Sequence, residues 1–160
     1  MNLSDLRQRH IGLIHNTLIT IGNVLKPVSQ AQSVTMRDAK DGLKGWSILE
    51  IVCHLRDFDV IFAQRANKIL TMPQTLLPAY DHEALVIEHA YHTQILAQVY
   101  SDLVRSRLAF IEFFRGLNDD EWERCGIHPE RGNFSLTDSL VQVGTHDCVH
   151  IEQITRILAQ

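Results

Sequence analysis

Two tetrads, Ser47-Ile-Leu-Glu50 and Ser135-Leu-Thr-Asp138, constrain this chain more than any other feature. In each, a serine stands three residues before an acid, so its hydroxyl accepts from a free N–H of a helix's first turn while the carboxylate reaches back to the serine. Each tetrad opens a stretch of roughly twenty residues whose apolar positions recur every three or four. Both stretches also carry histidine: His54 in the first, His146 and His150 in the second.

Helical periodicity extends beyond these two segments. Leu3, Leu6, His10, Leu13, Thr17 and Ile21 place a helix from about Leu3 to Leu25, ended by Pro27. The second helix runs from Ser47 to about Leu70, before Pro73. Pro78-Ala-Tyr-Asp81 introduces a third, from about His82 to Gly116, long enough to be bent. The fourth spans about Leu136 to Ala159. No alternating pattern of useful length argues for strands, so the expected fold class is all-α, a four-helix bundle in a single domain over residues 1–160. With 45% apolar residues the chain can fill one sizeable core. The polar segment 28–45, with turn signals at Asp41-Gly42 and Lys44-Gly45, reads as a long connection that covers a site or joins a partner. A loop containing Asn118-Asp-Asp-Glu-Trp122 and Cys125-Gly-Ile-His128-Pro-Glu-Arg-Gly132 precedes the last helix.

Charge and composition remove several classes of function. A net charge of −4 with scattered Lys and Arg gives no electrostatic footprint for nucleic acid. Met1-Asn-Leu-Ser-Asp5 lacks the regions of a signal peptide, and no apolar run approaches the ~20 residues that span a bilayer. The expectation is a cytoplasmic protein with no membrane and no nucleic-acid partner. Three cysteines without CxxC spacing suggest neither a disulfide framework nor a thiolate zinc site. Cys53 and Cys148 neighbour the histidines in sequence, but a helix aims them elsewhere, and they read as buried structural thiols.

The histidines carry the chemistry. His146 and His150, four apart, share a helix face, and His54 on a facing helix supplies a third neutral nitrogen. Three such ligands with one position left open describe a catalytic centre. Spacing alone is weak support: nine histidines in 160 residues give roughly 0.5 chance i,i+4 pairs. The same side chains also fit as polar fillers hydrogen-bonded in a core. Glu50 and Asp57, at −4 and +3 from His54, share its face and are candidates for orienting an imidazole or a bound water. Asp147 and Gln153 are further candidates on the last helix, Asp147 the weaker because it points about 100° away from His146. His146-Asp-Cys-Val-His150 resembles the HExxH helix of zinc peptidases, but its acid is one methylene shorter and no third ligand follows, which disfavours a peptidase. A di-iron carboxylate bundle needs paired Glu-x-x-His motifs, and the sequence has none. His128 fits either a turn or a residue overhanging the pocket, and one of Arg65, Arg105 and Arg107 could clamp an anionic substrate. His10, His15 and His82 carry no special pattern.

Three motifs together resemble those of the DinB-like (DinB/YfiT-like) superfamily of metal-binding four-helix bundles: Trp46-Ser-x-x-Glu50-x-x-x-His54-Leu-x-Asp57, Trp122-x-Arg124-x-Gly126-x-His128-Pro-x-x-Gly132, and His146-Asp-x-x-His150-x-x-Gln153-Ile154. The resemblance spans nearly the whole chain. It implies a divalent metal ion on His54, His146 and His150, and it implies homodimers. It also implies an activity drawn from thiol-dependent S-transferases and isomerases that use mycothiol- or bacillithiol-type cofactors, or from metal-dependent hydrolases. The family name refers to DNA-damage inducibility and does not imply DNA binding. Some relatives carry a further histidine where this chain has Gln142.

The leading expectation is a divalent-metal-dependent enzyme acting on a small-molecule substrate, as a thiol S-transferase or a hydrolase, with a low-molecular-weight thiol as a further cofactor. The alternative is a non-catalytic metal- or ligand-binding dimeric bundle. Imidazole donors suit Zn, Ni, Cu and Fe, with Zn or Ni the first expectation. The second helix looks apolar around most of its circumference, which predicts a homodimer through its Phe58 or Phe62 face.

Overall fold

The computed structural model describes residues 2–40 and 45–160. Four long helices dominate: α1 (Leu3–Leu25), α3 (Ile48–Thr71), α5 (Leu96–Arg115) and α7 (Leu136–Leu158). Between them lie α2 (Gln30–Thr35), α4 (His82–Glu88), a 3-10 turn (Tyr91–Thr93), α6 (Asp119–Trp122) and strands β1 (Cys125–His128) and β2 (Gly132–Ser135). Ser47 and Ser135 are the N-caps of α3 and α7, each in a closed capping box with Glu50 and Asp138.

The long helices form an all-α bundle in which α1 lies beside α5 and α7, and α3 lies beside the same two. Consecutive long helices α1 and α3 are therefore diagonal, and the segment joining them must cross one end of the bundle. Two apolar clusters fill the interior: one around Phe58, Phe62, Phe110, Phe114 and Trp122, the other around Leu18, Ile21, Leu49, Val52 and Ile154. A polar layer separates them. Thr17 on α1, Arg107 on α5 and Asp147 on α7 fall where their helix passes from one cluster to the other, Asp59 on α3 falls just past that point, and all are at most 5% exposed.

Several expectations need correction. The third helix is broken rather than bent. Ala90 takes a left-handed conformation (φ 45°, ψ 52°) and Ile95 an extended one, so α4 and α5 are separate. The break is held from outside the segment: Asp57 accepts from the Tyr91 hydroxyl and bonds His89 Nδ1, both at 2.6 Å. Arg56 reaches Gln94 as well. The segment after α1 is not a bare connection, because Ser29 and Gln32 close a capping box on α2. Its turn signals Asp41-Gly42 and Lys44 lie outside the described residues. The loop before α7 contains an antiparallel hairpin pairing Cys125 with Ser135 and His128 with Gly132, where Gly132 supplies the positive φ (71°) of the turn. Residues 74–77 bond to β1 on its other side, with Leu77 N–H donating to the Ile127 carbonyl. Strands this short leave no alternation long enough to read in sequence.

The premise for a dimer through Phe58 or Phe62 also falls. One chain buries both rings, at 8% and 2% exposure, because α3 is flanked by α5, α7 and the hairpin at once. Cys53 is buried as expected, which pushes its thiol up to about 12, but Cys148 is exposed, two residues round the helix from His146.

Candidate metal centre

α3 and α7 are neighbours, and their capping boxes fix where each starts, which sets the height of every later side chain along the bundle. His54 lies two turns into α3, and His146 and His150 lie on the α7 face turned toward it. The three imidazoles meet: one ring nitrogen from each falls within 4.8 Å of the others. His54 Nε2 and His146 Nε2 are 2.9 Å apart, near the ~3.3 Å edge of a tetrahedron with zinc–nitrogen bonds of about 2.0–2.1 Å.

The surroundings are mostly aromatic. Trp46 packs on His54 at 4.7 Å between centroids and lies parallel to His150 at 6.5 Å. Phe58 contacts His54 at 4.3 Å and stacks on His146 at 5.3 Å, while Phe62 meets His146 edge-on. Burial, followed by the neighbouring histidines, holds His54 down to about 2 and His146 down to about 3; His150 is lowered too, chiefly by burial. All three are therefore neutral at pH 7, the form that ligates metal.

Hydrogen bonding treats the three rings differently. His150 Nδ1 bonds Gln153 Oε1 at 2.9 Å, and Gln153 Nε2 donates to Asp38 Oδ2 at 3.0 Å. Since an amide oxygen only accepts, His150 carries its proton on Nδ1, leaving Nε2 as a lone-pair donor toward the cluster. Asp38 is itself fixed by Arg156. Burial raises its pKa, but the hydrogen bonds from Arg156 and Gln153 outweigh that and keep the carboxyl below its ordinary value. The chain passes so close at Gly45 that a Cβ there would sit 2.1 Å from the Asp38 carbonyl oxygen, so the placement of Asp38 needs glycine. His54 Nδ1 is buried without a hydrogen-bond partner among the described residues. His54 Nε2 and His146 Nε2 share one hydrogen bond and His150 turns its Nε2 toward them, so three neutral imidazoles converge as a donor set that could hold a cation.

Of the residues singled out in sequence, His54, His146, His150 and Gln153 come together. The acids do not join them, and their assigned roles are corrected. Asp57 is saturated by Arg56, His89 and Tyr91, because its +3 offset rotates it about 60° from His54 toward the α4–α5 break. Glu50 caps α3 and accepts from Arg37. Asp147, fully buried, turns into the polar layer, where Arg107 binds it through two nitrogens at 2.5 and 2.9 Å and Thr17 donates at 2.5 Å.

Sequence reasoning missed three parts of the site. His82 begins α4 with its ring 6.0 Å from that of His54. Asp38 reaches the site from the connection, where nothing in sequence marks it. Phe58, assigned to a partner surface, is a wall of the centre. Beside the cluster lies a recess of about 250 Å³ lined by Phe58, Arg65, Tyr80, His82, His128 and Gln142, among others.

The fold and site together are those of a helical bundle with a neutral three-histidine cluster that could hold a metal ion. The chain belongs to the DinB superfamily, whose family model matches residues 5–154. Among solved structures it resembles YfiT from Bacillus subtilis, described as a probable metal-dependent hydrolase with an unusual four-helix bundle topology. The TM-score is 0.87 at 20% identity, over 98% of this chain and 87% of that one. It also resembles a mycothiol-dependent maleylpyruvate isomerase (TM-score 0.76, 11% identity, 92% of this chain). A variant of that isomerase gives the same TM-score at 14% identity. The chain spans 60% of the isomerase's length. No curated protein matches the sequence significantly.

Proposed function

We propose that this protein is a divalent-metal-dependent enzyme in which His54, His146 and His150 hold the ion and a small-molecule thiol or water reacts with an electrophilic substrate. The observation that carries this reading is the convergence of three neutral imidazoles, one buried and two half-buried, with one ring nitrogen from each within 4.8 Å of the others. When bound, such an ion supplies Lewis acidity that lowers the pKa of a coordinated thiol or water. The chain's own residues do the rest. Gln153 fixes the tautomer of His150, Asp38 fixes Gln153, and Trp46, Phe58 and Phe62 exclude bulk water from the cluster. His82 stands at the border of the cluster and the recess, placed to exchange a proton with a substrate there.

The likeness to a mycothiol-dependent isomerase supports thiol transfer, and the likeness to YfiT supports hydrolysis. Zinc- or nickel-reconstituted protein, screened with low-molecular-weight thiols against electrophiles and with hydrolysable esters and amides, tests the proposal. The expected result is turnover that requires metal, disappears in His146→Ala and falls in His82→Ala with metal content retained. Turnover unaffected by chelation and by His146→Ala would refute it.

A further inference from the structure

We propose that the recess beside the histidine cluster receives a carboxylate of the substrate, held jointly by Arg65 and the Nε2–H of His128, so that the substrate class is small organic acids. This deepens the proposed function and rests on its reading of the recess as a substrate site.

Arg65 is on α3 and only 6% exposed. Its Nε and Nη2 donate to the Pro78 carbonyl at 3.2 and 2.6 Å, and the Tyr80 ring covers it at 5.2 Å. A guanidinium has five N–H groups, so these bonds leave three. No carboxylate pairs with it among the described residues. The other deeply buried arginine, Arg107, differs sharply, since two aspartates neutralise it. An arginine buried beside a cavity without its own counter-ion is a site prepared for an anion.

His128 makes the same point independently. It is 6% exposed, at the end of β1. Its Nδ1 accepts from the Glu130 backbone N–H at 3.2 Å. A neutral imidazole that accepts at Nδ1 carries its proton on Nε2, and burial followed by Arg65 and Arg131 keeps this ring neutral by lowering its pKa. The Nε2–H then faces an N–H of Arg65 Nη1 with the two nitrogens 3.3 Å apart. Two buried donors meet with no acceptor between them, and a carboxylate oxygen satisfies both.

The recess, about 250 Å³, suits an acid of modest size that also carries a donor, since one of its walls offers an acceptor. Gln142 lines the recess with its Oε1 buried and unpartnered among the described residues, and it lies one helical turn before His146. Arg131 and Glu130 line the recess with opposite charges, and Glu130 makes no ion pair with Arg65 among the described residues, so the guanidinium stays open to an incoming anion. Phe58 and His82 line the same recess and also contact His54, so an acid anchored at Arg65 has its other end directed toward the histidine cluster.

Calorimetric titration with succinate, propionate and the neutral analogue succinamide tests this on the protein as purified and after chelator treatment. The acids are expected to bind in both states at millimolar levels, and Arg65→Gln should weaken them about tenfold or more while metal content is unchanged. His150→Ala should lose metal yet still bind succinate, so failure of the metal reading and failure of this one are separable. Equal binding of succinate and succinamide, unchanged succinate affinity in Arg65→Gln, or no binding of either acid at roughly 10 mM would overturn the proposal. If Arg65→Gln does not fold, ¹⁵N spectra of the wild-type imidazoles decide: a protonated His128 Nε2 that shifts on addition of succinate supports it, and an unprotonated Nε2 overturns it.

Discussion

Asp147 and His146 are adjacent in sequence and lie in two polar clusters of opposite character, the first fully buried and the second partly so. Asp147 belongs to a closed network. Arg107 binds Asp59 and Asp147 together and also reaches the Ile14 carbonyl, and Thr17 completes Asp147. Asp59 and Asp147 raise the pKa of Arg107 against the opposite pull of burial. His146 belongs to an open cluster, with neutral rings crowded together, a His54 Nδ1 that has no partner among the described residues, and a recess alongside. Buried polar groups that satisfy one another organise a core, whereas buried polar groups that face one another unsatisfied are kept for something that binds. A single residue step along α7, about 100° of rotation, separates the two clusters.

That contrast breaks most visibly at Arg107. Arg107→Met leaves two buried carboxylates uncompensated and should destabilise the fold by about 3–5 kcal/mol in denaturant titration, with or without metal. A loss that metal restores would mean that the two clusters are not separate.

The hydrogen bond on the far side of the open cluster gives a smaller, sharper effect. Gln153→Ala frees the His150 tautomer and should weaken metal affinity about 10–100-fold, measured by competition with a chelator, at little cost to the fold. Asp57→Asn should leave that affinity unchanged, since Asp57 binds His89 and Tyr91 instead.

Acid provides a third test. Above pH 6.5 both folded and unfolded imidazoles are neutral and contribute nothing. Below it the unfolded chain takes up protons that folded His54, at about 2, and His146, at about 3, do not accept. Metal-free protein should therefore lose stability as pH falls from about 6.5 toward 3, by up to about 1.4 kcal/mol per pH unit for each histidine. His54→Ala should flatten the slope. An equal slope in that variant would place the titration elsewhere.

The convergence of the histidines was legible because helices are regular: two capping boxes and an i,i+4 spacing determine which face His146 and His150 share, and the apolar stripes bring α3 alongside α7. The same regularity misled for Asp57, where a +3 offset leaves about 60° of rotation and distant donors on His89 and Tyr91 claim the carboxylate. The break at Ala90 was hidden for a related reason: the contacts that sustain it come from α3, and periodicity within residues 82–116 continues across it. Asp38, His82 and the pairing of Arg65 with His128 depend on how loops and a short hairpin fold back over the bundle, and no local spacing encodes that.

The central claim is that His54, His146 and His150 hold one divalent ion. Elemental analysis after reconstitution, run on wild type and on each alanine variant with His89→Ala as a control, tests it most directly. The account predicts about one ion per chain in wild type and His89→Ala, and loss of that ion in each of the three variants with helical content preserved. Full metal content in His54→Ala, or equal loss across all four variants, would contradict it.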